Sequence, residues 1–460
     1  MVESVPLSSG TRADDLIQLQ PRPAYLGGVF VLKLPHMAKP FIRKVLKNGL
    51  RVVLIPEKEN PATTVLVLVE AGSKYEKKNI NGISHFLEHL CFKGTKKRPS
   101  ALMIAGELDR IGSEYNAFTS QEWTGYYAKA QAKHTDLILE TVSDLYLNPI
   151  FDEKELEKEK GVVIEELNMY EDMPQRKVQD LFQELLYGDQ PAGWDVGGKK
   201  EIIQKITRKN VLDYRGEHYV ASATAVIVSG SFDPKTILPK IEKHFINIHD
   251  GKKTGKVKVV EKQTKPEIFI KHKESDQTHL VLGCRAYDLF DKRKYALEVM
   301  ADILGGGMSS RLFQKVREEL GAAYYVKAGA DALTDHGVFA VSAGIEHSKI
   351  EIVIKAILGE LTRIAKGDIT EKNLADAKEH LSGRLMLGLE TSDAVAMFYG
   401  GQEILEKDSK TAAEVARAIG KVTKQEVVAV AKDIFKNEKL NLAMIGPYKD
   451  KAPFAKILRF

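Results

Sequence analysis

The chain has 460 residues, 43% hydrophobic and 28% charged, enough core for two or three domains or for one domain repeated. A net charge of +5 is small for this length and argues against a nucleic-acid or anionic-membrane surface. Two distant cysteines, Cys91 and Cys284, make a disulfide framework implausible and suit a reducing, cytoplasmic setting. No apolar run approaches the ~18 residues of a membrane span, and no basic-then-apolar secretory signal opens the chain.

Residues 1–37 read as an N-terminal extension around Ser8-Ser9-Gly10. Met37 directly precedes a well-patterned segment, so either the chain starts there or the extension is a native disordered arm. Leu50 to Pro56 follows an Asn48-Gly49 turn and reads as the second arm of a hairpin. Thr63 to Glu70 is a β-branched strand, and Asn81-Gly82 opens a helix. Ala101 to Ile111 and Leu137 to Leu147 are predicted helical, Asn116 to Thr119 and Gly125 to Ala130 extended. Glu153 to Tyr170 is a long charged helix, and Ala223 to Gly230 a buried strand.

Residues 248–264 are lysine-rich and broken by glycine, the composition of a solvated linker. The order then repeats: a strand from Thr278 to Cys284, a helix from Arg293 to Leu304, and Gly337 to Ser342 echoing Gly125 to Ala130 at an offset of 212. An internal duplication of one α+β unit is the simplest account, with halves at 38–247 and 265–460.

The most chemical stretch is His85-Phe-Leu-Glu88-His89. On a helix, positions i and i+4 stack on one face with i+3 beside them. Two imidazoles can then grip one Zn²⁺ while Glu88 stands over the same spot as a base. The second half has no such motif, so the first would carry chemistry and the second shape and contacts.

Two histidines leave a catalytic zinc one protein ligand short. In the helix from Glu153, the apolar stripe Leu156, Val163, Leu167, Tyr170 places Glu159 and Glu166 at its border and Glu165 on the opposite side. Glu166 is therefore the candidate ligand, and Glu159 a residue that orients a ligand or water. The plain alternative is a solvated acidic helix, which we accept for Glu153, Glu155 and Glu157. Cys91 points off the metal face and reads as a core thiol.

These segments resemble the M16 metallopeptidases, the inverzincin group of pitrilysin, insulysin and mitochondrial processing peptidase. Gly82 to Thr95 is similar to that family's metal helix almost throughout, and the resemblance spans about residues 38–455. Glu166, with 76 residues between it and His89, matches the family's third ligand, and Glu159 its essential upstream Glu. Gly112 to Ser120 resembles the edge strand on which substrate adds, which implies peptide contacts at Asn116, Ala117 and Phe118. Gly305 to Phe313 and Val316 to Tyr324 resemble the second signature, whose Arg/Tyr pair, seven apart, selects Arg317 and Tyr324 as substrate-binding, catalytic residues. Arginine-directed processing does not carry over, because Arg176 and Lys177 follow Glu171 and Asp172.

The resemblance implies a half-size member. Its two α/β-roll domains, each a mainly antiparallel sheet packed with helices, would face each other across a cavity. It implies one Zn²⁺ per chain on His85, His89 and Glu166, with Glu88 as general base for hydrolysis of short or unfolded peptides. Zinc motif and Arg/Tyr pair on one chain suggest a homodimer. The alternative is a non-catalytic subunit, or an obligate heterodimer partner, on the same fold.

Overall fold

The computed structural model describes residues 40–460, so the extension, Met37 included, lies outside the described residues. Among the described residues eleven strands form two sheets. The first holds β1 (Ile42–Val45), β2 (Arg51–Pro56), β3 (Ala62–Val69), β4 (Glu114–Thr119), β5 (Thr124–Gln131) and β6 (Thr224–Gly230), ordered β1-β2-β6-β3-β5-β4. The second holds β7 (Glu267–His272), β8 (Thr278–Ala286), β9 (Ala323–Ala332), β10 (Gly337–Ile345) and β11 (Leu440–Gly446), ordered β7-β11-β8-β10-β9. Apart from β1 the two orders correspond strand for strand. In each sheet one pair is parallel, β2 with β6 and β11 with β7, and the others are antiparallel. The duplication read from the sequence is therefore a repeat of topology.

The central strand β3 shows why its sequence is apolar almost throughout. Val65, Val67 and Val69 enter the core beneath the first half's own helices, while Leu66 and Leu68 enter a separate core on the other face. The helices of the first half that matter here are α1 (Ile83–Cys91), α2 (Ala101–Asp109), α3 (Thr135–Leu147), α4 (Glu153–Glu171) and α5 (Pro174–Tyr187).

The outer face of each sheet is covered by a helix from the opposite half. Val178, Leu181, Phe182 and Leu186 of α5 pack on Val281, Val338, Ala443 and Ile445 of the second sheet. In return, Val395, Ala396, Tyr399 and Ile404 of the helix Ser392–Leu405 pack on Val53, Leu66, Leu68 and Ile227 of the first. The halves also meet at equivalent turns. Glu122, in the β4–β5 turn, accepts hydrogen bonds from the backbone N–H and hydroxyl of Thr334 in the β9–β10 turn, both at 2.9 Å. Lys74, fully buried, pairs with Glu122 and with Asp335.

The expectation of a solvated tether at 248–264 is corrected in part, since residues 251–264 are exposed or half-buried yet several are anchored. The segment has neither helix nor strand, as its composition predicts, but it lies against both halves. Lys253 pairs with the buried Glu70, and Lys256 with the buried Glu122. Farther on, the Val260 N–H donates to Gln190, and Gln263 donates to the Leu440 carbonyl. Lys253 and Lys256 are thus drawn to carboxylates that burial would otherwise leave costly, while Lys252, Lys258 and Lys262 are exposed.

Candidate metal centre

Helix α1 is anchored at its start by residues outside it. Gly82 begins the helix at φ +93°, and a Cβ there would meet the Gly197 carbonyl at 2.6 Å. The buried Glu76 carboxylate accepts from the backbone N–H of Gly82 (2.7 Å) and of Ser84 (2.8 Å), satisfying first-turn donors. Burial pushes Glu76 up to about 7 against those bonds.

One turn along, the ring nitrogens converge. His85 Nε2 lies 3.2 Å from His89 Nε2, and Glu166 Oε2 of α4 lies 3.5 Å from the first and 3.4 Å from the second. A tetrahedral ion with bonds of ~2.0–2.2 Å needs its ligands ~3.3–3.6 Å apart. Two imidazole nitrogens and one carboxylate oxygen thus fit zinc in spacing and in kind, with the side chains still 14–22% exposed toward a fourth ligand. Among the described residues, His85, His89 and Glu166 form the one grouping of three such donors.

Helix α4 reads as its stripe predicts. Leu156, Glu159, Val163 and Leu167 are buried, Glu166 is half-buried at the border, and Glu165 is exposed. Asp152 caps its start through the N–H groups of Lys154 and Glu155. Glu159 holds His89 Nδ1 at 2.8 Å and pairs on its other oxygen with Lys93 at 2.5 Å. Tyr170 donates to Glu166 Oε1 at 2.8 Å. Burial would lower His89, but its bonds to Glu159 and Glu166 carry it to about 9, and the bond from His89 helps hold Glu166 down to about 2. His85, lacking such a partner, is lowered by burial and by the neighbouring His89.

Glu88 is 9% exposed, and burial raises its pKa. Thr119 Oγ1, at the end of β4, donates to Glu88 Oε2 at 2.6 Å. That bond ties the carboxylate to the strand that ends the first sheet. Along β4, Asn116 is exposed and its Oδ1 accepts the Ala117 N–H at 2.9 Å. Tyr115 and Ala117 border the core on the α1 side, whereas the Phe118 ring packs on Trp123, 5.0 Å between centroids, beside the opposite core. Contact of Phe118 with a peptide on the α1 side would therefore be through its backbone.

Arg317 and Tyr324 are together but elsewhere. Arg317 lies in the π-helical segment Phe313–Glu319, donates to the Tyr324 carbonyl at 2.9 Å and sits 5.9 Å from that ring. Tyr324 is 73% exposed. It is the second residue of β9 (Ala323–Ala332), eight residues before the end that adjoins the β4–β5 turn, or roughly 26 Å along the strand. Arg317 lines a cavity with Asp302, Met308 and Arg384, and His85, His89 and Glu166 do not line it. Farther along α4, Glu171 pairs with Lys177 and Lys271, and Asp172 with Lys273, so neither is a bare acidic anchor.

Thr119, Lys93, Tyr170 and Glu76 escaped the sequence reading. Lys93 and Tyr170 follow His89 and Glu166 by four residues, a helical spacing that could have marked them. Thr119 arrives through tertiary packing, and Glu76 from the turn six residues before Gly82. Cys91 is buried, as expected, beside the Tyr126 hydroxyl at 3.6 Å.

A split α/β fold with two histidines, a carboxylate and an adjacent buried acid on one face defines a zinc-peptidase architecture. Residues 51–199 match the family described as Insulinase (Peptidase family M16), and residues 205–381 the Peptidase M16 inactive domain. A Bacillus subtilis protein described as an uncharacterized zinc protease, YmxG, is 36% identical over 88% of this chain and 98% of its own. A Streptomyces coelicolor protein of like description is 32% identical over 92% and 93%. The crystal structure of a protease from Helicobacter pylori superposes with a TM-score of 0.83 at 26% identity, covering 88% of this chain and 99% of that one. An M16 inactive-domain structure from Pseudomonas fluorescens, 19% identical, shares the fold with a TM-score of 0.82 over 89% and 98%. The chain belongs to the M16 peptidase family. Among the described residues no helix is long and apolar enough to cross a membrane.

Proposed function

We propose that this chain is a zinc-dependent endopeptidase acting on short or unfolded peptides. The observation that carries the reading is the 3.2–3.5 Å triangle of His85, His89 and Glu166 with the buried Glu88 on the same helix. One zinc per chain would sit on those three residues, where it supplies a Lewis acid and lowers the pKa of water. Glu88, aimed by Thr119, accepts a proton from the attacking water and returns it to the leaving amine. Glu159 keeps the His89 ring turned so that Nε2 faces the site.

A peptide would add to the outer edge of β4, exchanging the Asn116 cap on the Ala117 N–H for its own carbonyl. Arg317 and Tyr324 would reach that peptide from a second copy of the chain, so the working unit is a homodimer in the cytoplasm. Loss of cleavage of an internally quenched peptide by Glu88→Gln, with zinc retained on elemental analysis, tests the reading. Substantial turnover by that variant removes Glu88 as the base. A wild-type chain that holds no zinc and spares such peptides favours a non-catalytic scaffold.

A further inference from the structure

The three candidate ligands differ in how many atoms they could offer a metal. Each imidazole turns one nitrogen, Nε2, to the site, whereas the Glu166 carboxylate has two oxygens of equal chemistry. Those oxygens are not equally placed. Oε2 is the one near both histidines, 3.5 Å from His85 and 3.4 Å from His89. Oε1 is engaged from elsewhere, accepting the Tyr170 hydroxyl at 2.8 Å. A carboxylate can bind a cation through one oxygen or through both. The difference matters at a catalytic zinc, where three protein atoms leave a fourth position for water and a chelating carboxylate would take it.

Tyr170 is well set to govern that choice. It follows Glu166 by four residues on α4, so the two side chains lie on one face of the helix, a turn apart. A phenol, with a pKa of about 10, meets an ionised carboxylate at neutral pH as a donor. Its ring is steadied by the first turns of α5. The Arg176 guanidinium lies 5.4 Å from the ring centroid, and Arg176 donates to Asp180 at 2.7 Å. The acceptor is thus approached by a hydroxyl whose ring is held on a second helix.

We infer that Tyr170 is a positioning residue that occupies Oε1 of Glu166, so that the third ligand presents one oxygen only and the fourth position is left to water. The partners of metal-binding side chains commonly orient them in this way. Glu159 turns the His89 ring, and Tyr170 turns the Glu166 carboxylate. The inference rests on the metal reading above and deepens it, since the tyrosine sets how many positions remain at the metal.

Cobalt(II) in place of zinc tests it, because four-coordinate cobalt absorbs more strongly in the visible than five-coordinate cobalt. The full chain is freed of metal with a chelator and loaded with one cobalt per chain. Wild type should show the intense band of a four-coordinate site. Tyr170→Phe keeps the ring beside Arg176 but frees Oε1, and its band should fall several-fold as both oxygens engage. In infrared difference spectra of loaded minus metal-free protein, the two carboxylate stretches of Glu166 should draw closer together in that variant. A helix-packing role for the tyrosine would move neither signal. An unchanged band in Tyr170→Phe, a weaker band with unmoved carboxylate stretches, or a wild-type band already of the weaker kind overturns the inference. A wild-type chain that takes up neither cobalt nor zinc overturns the metal reading instead.

Discussion

Thr119→Val isolates the aim of the base from its presence. Valine keeps the β-branched shape that strand β4 needs and deletes the hydroxyl. The bond removed is 2.6 Å long and runs to a carboxylate 9% exposed, within the range of a charge-assisted O–H···O⁻ contact. Such bonds are worth ~1.5–3 kcal/mol. If the bond holds Glu88 where it must accept a proton, the loss falls on the transition state, about 10- to 150-fold in kcat/KM. Zinc content should not change, because Thr119 contacts no ligand of the triangle. Thr119→Ser, which keeps the hydroxyl, should retain most of the activity. Steady-state cleavage of a quenched peptide, with elemental zinc on the same samples, makes the measurement. A valine variant that turns over within about twofold of wild type with full zinc would refute the reasoning.

Glu166→Gln should release zinc and abolish turnover, whereas Glu165→Gln, on the exposed side of α4, should leave both intact; the contrast is read by zinc analysis. Phe182 is 1% exposed and reaches the second sheet from α5, so Phe182→Ala should cost ~3–5 kcal/mol in denaturant unfolding. Burial would raise Glu171, but Lys177 and Lys271 hold it down to about 2 against an ordinary 4.5. A carboxylate lowered on folding stabilises above its unfolded value and ceases to do so as pH falls through its folded value. Glu171→Gln should therefore be less stable than wild type at neutral pH, with the difference shrinking below about 4.5 and gone near 2; a gap unchanged across that window in acid unfolding curves contradicts the pairing.

Much of the site is local and was legible for that reason. His85, Glu88 and His89 lie within five residues of one helix, and their common face follows from 3.6-residue periodicity alone. Glu166 could be preferred to Glu165 because the apolar stripe of α4 states which side is buried. The duplication was legible too, since each half must repeat the same strand pattern to close the same sheet.

What periodicity cannot encode is who stands opposite. The exchange of α5 for the helix Ser392–Leu405 is invisible in sequence, because an amphipathic helix shows its apolar stripe without naming the sheet beneath it. Lys253 and Lys256 look solvated in sequence because composition does not reveal the buried Glu70 and Glu122 they meet. Thr119 comes to Glu88 from a strand, and Asp195 to Asn81 beside the start of α1 from a distant turn, across separations set only when the chain closes. Likewise only the tertiary structure sets Arg317 and Tyr324 at the end of β9 remote from the β4–β5 turn. The sequence by itself determined the shared face of His85, Glu88 and His89, through short-range periodicity, and the twofold plan, through repetition of one strand pattern. Packing decided much of what holds that helix in place, because supports such as Thr119 and Asp195 come from segments far apart in the chain.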